Sequence, residues 1–263
     1  MNNPPKQFRH QSSFVIAAIF FIGCFVIEVL GIEISNEARG QYYNIQGGLS
    51  YVIYLLLNTL YGRKYGLNWI KSLVFSCANL LFLFVLTARI GTRVDILIWG
   101  HGSVAAFRSA MFLPFLCLIL SRFCKVNMLN LCDFLTPYFF FLHGFVTNSC
   151  WIAGCCAGKP MAWGLQNPLN GMTVFPLQPC VILASVAVAW WGLRYAQKHD
   201  YQANGMVFAN SLILYGIFRY LVEFFSDDPR IFGVLSWLSV CSLFMIAMGF
   251  LVRYIVTKHT QTP

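Results

Sequence analysis

Long apolar runs separated by short polar connections dominate the chain. Eight such runs can be read, at about 13–32, 47–62, 69–90, 98–121, 135–152, 175–196, 203–225 and 232–256. A helix needs ~20 residues to cross the hydrocarbon of a bilayer, with about 17 as the lower end. Each run therefore predicts a spanning helix, and the second, being short, is expected to continue past its glycines. The first run resembles a signal peptide in position only: Gly31-Ile32-Glu33 is a poor cleavage site, so this helix is expected to be retained. The pattern predicts an all-α, polytopic transmembrane helix bundle of about 7–8 spans. Residues 1–46 form an N-terminal region with an extra transmembrane helix, and residues 47–263 form the main membrane domain. No internal repeat, low-complexity tract or second domain interrupts it.

Composition makes the solvent explicit. Apolar residues are 58% of the chain and charged residues 10%, with a mean hydropathy of +0.65. A soluble domain needs roughly 25% charged residues to clothe its surface, so lipid must cover most of this one. The net charge of +9 does not point to nucleic acid, because no binding motif accompanies it and the basic residues sit in short groups between apolar runs.

Those groups alternate along the chain. Lys6 and Arg9 precede the first run; Arg63, Lys64 and Lys71 lie between the second and third; Arg122 and Lys125 follow the fourth. Arg194 and Lys198 follow the sixth, and Arg253 and Lys258 close the last. The intervening connections carry Glu33, Glu37, Asp95, Asp227 and Asp228 instead. Cytoplasmic loops hold the excess of Lys and Arg, so both termini are expected in the cytoplasm.

That topology gathers the unusual polar residues at one leaflet. Arg89, His101 and His143 fall near the outer ends of the third, fourth and fifth runs, and the polar connection 153–174 faces out. Arg219 and Glu223 fall in the last turns of the seventh run, with Arg219 about 9 Å from its outer end at 1.5 Å per residue. Ionisable groups inside a membrane cost ~2.5–3.5 kcal/mol each on insertion scales, so they are candidates for function. Arg219 and Glu223 are four apart and share a helix face. They can form a structural ion pair, or Arg219 can bind a lipid phosphate with Glu223 orienting it, since a guanidinium presents a planar donor fork to phosphate oxygens. His101, between Gly100 and Gly102, can act as a proton acceptor. Arg108 lies two turns deeper and must face the bundle interior.

The ten cysteines do not read as a disulfide framework: Cys24, Cys77, Cys117, Cys241 and Cys180 lie in apolar runs, as small hydrophobes do. Cys150, Cys155, Cys156 and His143 could supply four zinc ligands on paper, but the spacing matches no familiar zinc pattern. Neither a metal nor another cofactor is expected.

From Asp133 onward the motifs resemble the prolipoprotein diacylglyceryl transferase family. Asp133-Phe134-Leu135-Thr136-Pro137 is similar to the start of that family's helix before its signature, and Gly154-Cys155-Cys156-Ala157-Gly158-Lys159-Pro160 to one form of the signature. Trp163-Gly164, Pro176 and Gln178 fall where the family has W-G and H-P-T-Q. Tyr215-Gly216 through Arg219 and Glu223-Phe224 resembles its Y-G-x-x-R-F-x-x-E-F-x-R helix. Earlier, Gly100-His101-Gly102 and Arg89-Ile90-Gly91 are similar to H-G-G and G-x-R-[IL]-G.

The resemblance implies transfer of the diacylglyceryl group of phosphatidylglycerol to the lipobox cysteine thiol of a preprolipoprotein signal peptide. The setting it implies is the outer face of a bacterial plasma membrane, in a multi-pass protein. It implies catalytic roles for His101, Arg219 and Glu223, and substrate contacts for Arg89, Cys150, Gly154, Gly158, Lys159 and Tyr215. The chain departs from the pattern at several positions. Thr147 stands where active members carry an arginine, Phe175 replaces the histidine of H-P-T-Q, and Cys180-Val181 replaces a tyrosine-glutamate pair. Ser226 and Ser239 replace an arginine and a glutamine. Two alternatives stay open beside the transferase: an impaired homologue serving as a lipid-binding or assembly partner, and a small-solute transporter.

Overall fold

A computed structural model describes residues 36–83, 85, 110–154, 158–167, 169–228 and 230–261. The first apolar run, half of the fourth, and the candidates Arg89, His101, Arg108, Cys155 and Cys156 lie outside the described residues.

Seven helices are described in chain order: α1 (Asn36–Gly62), α2 (Trp69–Leu83), α3 (Leu113–Cys124), α4 (Met128–Ile152), α5 (Leu177–Lys198), α6 (Met206–Glu223) and α7 (Trp237–Gln261). As its short apolar run required, α1 continues back through Gly47 and Gly48. Four of these helices carry segments long and apolar enough to cross a membrane: Met128–Asn148, Leu177–Lys198, Met206–Glu223 and Trp237–Lys258. The all-α expectation needs one correction. Two short antiparallel hairpins interrupt the bundle, β1 (Pro160–Gln166) with β2 (Thr173–Val174), and β3 (Arg230–Phe232) with β4 (Leu235–Ser236). Both occupy connections between helices, where no hydrophobic period announces a strand this short.

The central element is α4. Its sequence is apolar on every side, the mark of a helix surrounded by others. Leu131 through Phe145 are buried without a break, with α1, α3, α5 and α6 packed around them. At the other extreme α7 leaves Phe244, Phe250, Leu251 and Tyr254 exposed, a face suited to lipid tails.

Lipid is as apolar as leucine, so helices in it associate through close packing rather than through water exclusion. Two glycines enforce that packing between α6 and α7. A Cβ on Gly216 would sit 2.8 Å from Ile246 Cγ1 and 3.1 Å from the Ser242 carbonyl oxygen; one on Gly249 would sit 2.7 Å from the Ala209 carbonyl oxygen. The backbones therefore touch, and the registers of α6 and α7 are locked together.

The two ends of the bundle are built differently. At one end, the carboxylate of Asp133, fully buried near the start of α4, accepts from the backbone N–H groups of Gly205 (2.7 Å) and Phe208 (2.9 Å). It caps α6 from a neighbouring helix, meeting N–H groups that no residue of α6 itself satisfies. Tyr61, Tyr65, Tyr138, Tyr201 and Phe134 pack edge to face and stacked beside it. Lys64 lies over the Tyr201 ring, and Arg253 bonds to Asn210, so the ends of α1 and α7 meet the start of α6 here. The basic residues between apolar runs thus collect at this end. The candidate chemistry lies at the other.

Candidate functional site

Four residues of α6, each four apart, lie on one buried face: Ser211, Tyr215, Arg219 and Glu223. At 1.5 Å per residue this stripe runs about 18 Å along the helix. Its upper end is Glu223, fully inaccessible, whose Oε2 is 2.7 Å from Arg219 Nη2. The sequence left open whether the pair is a structural lock between two helices or a phosphate-binding arginine oriented by Glu223. The ion pair itself lies within α6, and the lock comes from the other carboxylate oxygen. Ser236 Oγ donates to Glu223 Oε1 at 2.7 Å.

Ser236 has a second task. Its oxygen accepts from the backbone N–H of Ser239 at 3.1 Å, which makes it the N-cap of α7. One hydroxyl therefore caps α7 and holds Glu223. The carboxylate is anchored at the positive end of the α7 dipole, where a negative charge is favoured. Ser236 holds one oxygen and Arg219 pairs with the other, which keeps the Arg219 guanidinium beside Glu223. Ser239, also fully buried, approaches Ser236 Oγ at 3.2 Å from the place where the resemblance expects a glutamine.

One turn deeper, Tyr215 meets α4 and α5. Its ring is edge-on to that of His143, with centroids 5.4 Å apart, and its hydroxyl is 3.5 Å from His143 Nδ1. Ser185 Oγ lies 3.1 Å from the same nitrogen and donates to the Val181 carbonyl at 2.8 Å. His143 thus belongs to a buried hydrogen-bonded group that holds Tyr215, below the Arg219–Glu223 pair.

Thr147, at the position where an arginine is expected, sits one turn above His143 on α4. Its hydroxyl donates back to the His143 carbonyl at 2.7 Å. That hydroxyl is satisfied within its own helix and brings no charge to the site. The neighbouring Asn148 is fully buried, and neither of its amide atoms finds a partner among the described residues.

The connections at this end of the bundle are stitched to the end of α6. Gly158 bridges Ser226, the Lys159 N–H donates to the Phe225 carbonyl (2.8 Å), and the Lys159 carbonyl accepts from the Phe175 N–H (2.9 Å). Phe175 stacks on Phe225 with centroids 4.4 Å apart and meets Trp163 edge-on. Where the family pattern has a histidine, this chain has an aromatic clamp. The signature glycines serve the same stitching. A Cβ on Gly154, at φ +69°, would meet Asn167 Oδ1 and the Leu169 nitrogen at 2.8 Å, and one on Gly158 would press into the Phe175 backbone. Cys150 is half-buried in the last turn of α4. Beside this layer opens a polar cleft of about 280 Å³, lined by Gly158, Asn167, Asn170, Met172, Asp227 and Asp228.

The structure therefore brings together Arg219, Glu223 and Tyr215 on α6 and joins Lys159 and Gly158 to its end. Sequence reading missed Ser185, Ser236 and Arg230 as parts of this region. None of them stood out: Ser236, which precedes α7, lies inside the apolar run read as 232–256.

Comparison with known proteins agrees with the motifs. The sequence model described as prolipoprotein diacylglyceryl transferase matches residues 67–255. A phosphatidylglycerol–prolipoprotein diacylglyceryl transferase of Clostridium tetani is 33% identical over 136 residues, covering 48% of this chain and 53% of that protein. Phosphatidylglycerol–prolipoprotein diacylglyceryl transferase 2 of Clostridium perfringens is 32% identical over 135 residues, covering 48% of this chain and 52% of that protein. The chain thus spans about half the length of the curated relatives it matches.

Proposed function

Because the chain belongs to the prolipoprotein diacylglyceryl transferase family, we propose that it moves the diacylglyceryl group of phosphatidylglycerol onto the cysteine thiol of a preprolipoprotein. The observation that carries this reading is the buried Arg219–Glu223 pair with its carboxylate anchored by Ser236. An arginine held this way keeps a fixed fork toward the lipid phosphate. Preorganised charge of this kind commonly contributes more than any other effect to stabilising a leaving group.

In the proposed reaction the cysteine sulfur attacks the glycerol carbon that bears the phosphate. The new C–S thioether bond forms as the C–O bond to phosphate breaks. The electron pair of that bond leaves on the phosphate oxygen, and glycerol 1-phosphate is released. The thiol proton must go to a base, because the thiolate is the nucleophile; His101, expected from the sequence, takes that role. Arg219 receives the charge that grows on phosphate, Glu223 orients Arg219, and Tyr215, held by His143 and Ser185, packs beneath them. Arg89, Cys150 and Lys159 are the substrate contacts that the family resemblance implies, and Gly154 and Gly158 let the connection after α4 pack closely.

The same reading sets the basic end of the bundle in the cytoplasm, with both termini, and the site at the outer face of a bacterial plasma membrane. Residues 47–263 form the transferase unit, which α1 enters without a break at residue 46. The test is transfer of radiolabelled diacylglycerol from phosphatidylglycerol to a lipobox peptide by the purified chain in lipid. Thioether-linked label that disappears in Arg219→Gln supports the reading. No transfer by folded protein overturns it and leaves a lipid-binding homologue, to which the uncharged Thr147 would then belong.

A further inference from the structure

Two cations converge on the carbonyls at the outer end of α6, and among the described residues neither forms an ion pair. Arg230, in the hairpin that follows α6, donates through Nη2 to the carbonyl oxygens of Glu223 (3.2 Å), Phe224 (3.3 Å) and Ser226 (3.1 Å). Lys159, from the opposite connection, donates through Nζ to the same Phe224 oxygen at 3.0 Å. A lysine and an arginine that share one carbonyl repel each other. The negative end of the α6 dipole, with the carbonyls of Glu223, Phe224 and Ser226, offsets part of that repulsion.

The nearby acids are engaged elsewhere or stand apart. Glu223 is committed to Arg219 and Ser236, and among the described residues neither Asp227 nor Asp228 forms an ion pair with Lys159 or Arg230. Arg230 also holds a donor in reserve, because its Nη1 is buried and has no partner among the described residues. Position 230 belongs to none of the motifs read from the sequence. Yet it returns a guanidinium to the end of α6, where it bonds to the Ser226 carbonyl.

We propose that Lys159 and Arg230 together form a phosphate-binding site at the outer rim, which receives the phosphate of an anionic lipid headgroup or of the released glycerol phosphate. Arg230 contributes its Nη1 fork and Lys159 a point charge. A phosphate oxygen between them relieves the repulsion that the Phe224 carbonyl only moderates. This rests on the phospholipid reading above for its physiological ligand, but the site itself does not depend on turnover.

Binding can therefore be tested without catalysis. The full chain is placed in nanodiscs of neutral phosphatidylcholine, and binding of fluorescent phosphatidylglycerol and of soluble glycerol phosphate is titrated at two salt concentrations. The wild type should prefer the anionic lipid, and Arg230→Gln or Lys159→Gln should each reduce that preference about tenfold, with a weaker dependence on salt. Because Arg230 also caps the α6 carbonyls, Arg230→Lys serves as the second variant. It keeps the charge and should retain most of the preference even where its melting temperature falls.

A purely structural role would lower the melting temperature of Arg230→Gln and leave the anionic-over-neutral preference intact; that result overturns the proposal. Absence of any preference in the wild type overturns it too. If soluble glycerol phosphate binds and loses affinity in the same variants, the site takes free phosphate monoesters. If only the lipid responds, it takes the headgroup. A wild type that shows the preference but transfers no label upholds this site and defeats the transferase reading.

Discussion

Replacing Ser236 by alanine should separate the two ends of the chain of contacts that positions Arg219. The substitution removes one oxygen and, with it, two bonds of different kinds. The first is the N-cap of α7, whose loss costs about 0.5–2 kcal/mol. The second is the hydrogen bond to the Glu223 carboxylate, buried and charge-assisted, in the class worth roughly 1.5–3 kcal/mol. Ser239 Oγ lies close enough to Ser236 to replace part of that second bond. The expected destabilisation is therefore about 2–4 kcal/mol, or a fall of roughly 4–16 °C in Tm for a domain of this size.

The consequence for function is more specific than the loss of stability. With Oε1 unheld, Glu223 can turn about its side-chain torsions and take the Arg219 fork with it. Label transfer should then fall about tenfold, equivalent to roughly 1.4 kcal/mol of transition-state stabilisation. Ser236→Thr keeps the hydroxyl and should stay within about twofold of the wild type on the same scale. Melting is followed by intrinsic fluorescence in detergent, and transfer by radiolabel on a lipobox peptide. Unchanged melting and transfer in Ser236→Ala would refute the anchoring of Glu223 by α7. A lower Tm with unchanged transfer would confine Ser236 to capping and detach it from the site.

Other substitutions probe the parts of the fold that hold the site in place. Asp133→Ala strips the two buried acceptors from the start of α6 and should cost about 3 kcal/mol or more, while Asp133→Asn, which keeps one acceptor, should cost about half that; denaturation of both variants in one detergent checks the order. Gly249→Ala puts a methyl against the Ala209 carbonyl and should destabilise by about 1–3 kcal/mol, since neither backbone can yield without parting α6 from α7. Gly158→Ala should disturb the Phe175–Phe225 stack and lower transfer with little change in global melting, which activity and the two melting curves together decide. Tyr215→Phe removes a hydroxyl held near His143 and Ser185; a loss of about 1 kcal/mol in stability is expected, and a larger one would mean that the hydroxyl supports more of the network than those two residues.

Arg219 and Glu223 were legible because ionisable residues inside an apolar run stand out, and because a spacing of four places both on one helix face. Gly154, Gly158 and Lys159 were legible through motif resemblance alone, without the steric reason that the Phe175 backbone and the Leu169 turn supply for the two glycines. The hairpins were not legible, being too short for a period of two to show. Nor was the Lys159–Arg230 pair, because its members are far apart in sequence and meet only through the backbone of Phe224.

What the sequence determined by itself is the solvent and the helices. A run of apolar residues long enough to span hydrocarbon satisfies its own backbone hydrogen bonds, so that choice is local. What only the tertiary structure decided is which polar groups complete one another. Glu223 is held by a serine that caps a different helix, Asp133 caps a helix that begins beyond the whole of α5, and Thr147 turns its hydroxyl into its own backbone. In hydrocarbon a polar atom must find its partner within the protein, and the partner is set by how the helices cross, through contacts such as Gly216 and Gly249 that no local pattern records.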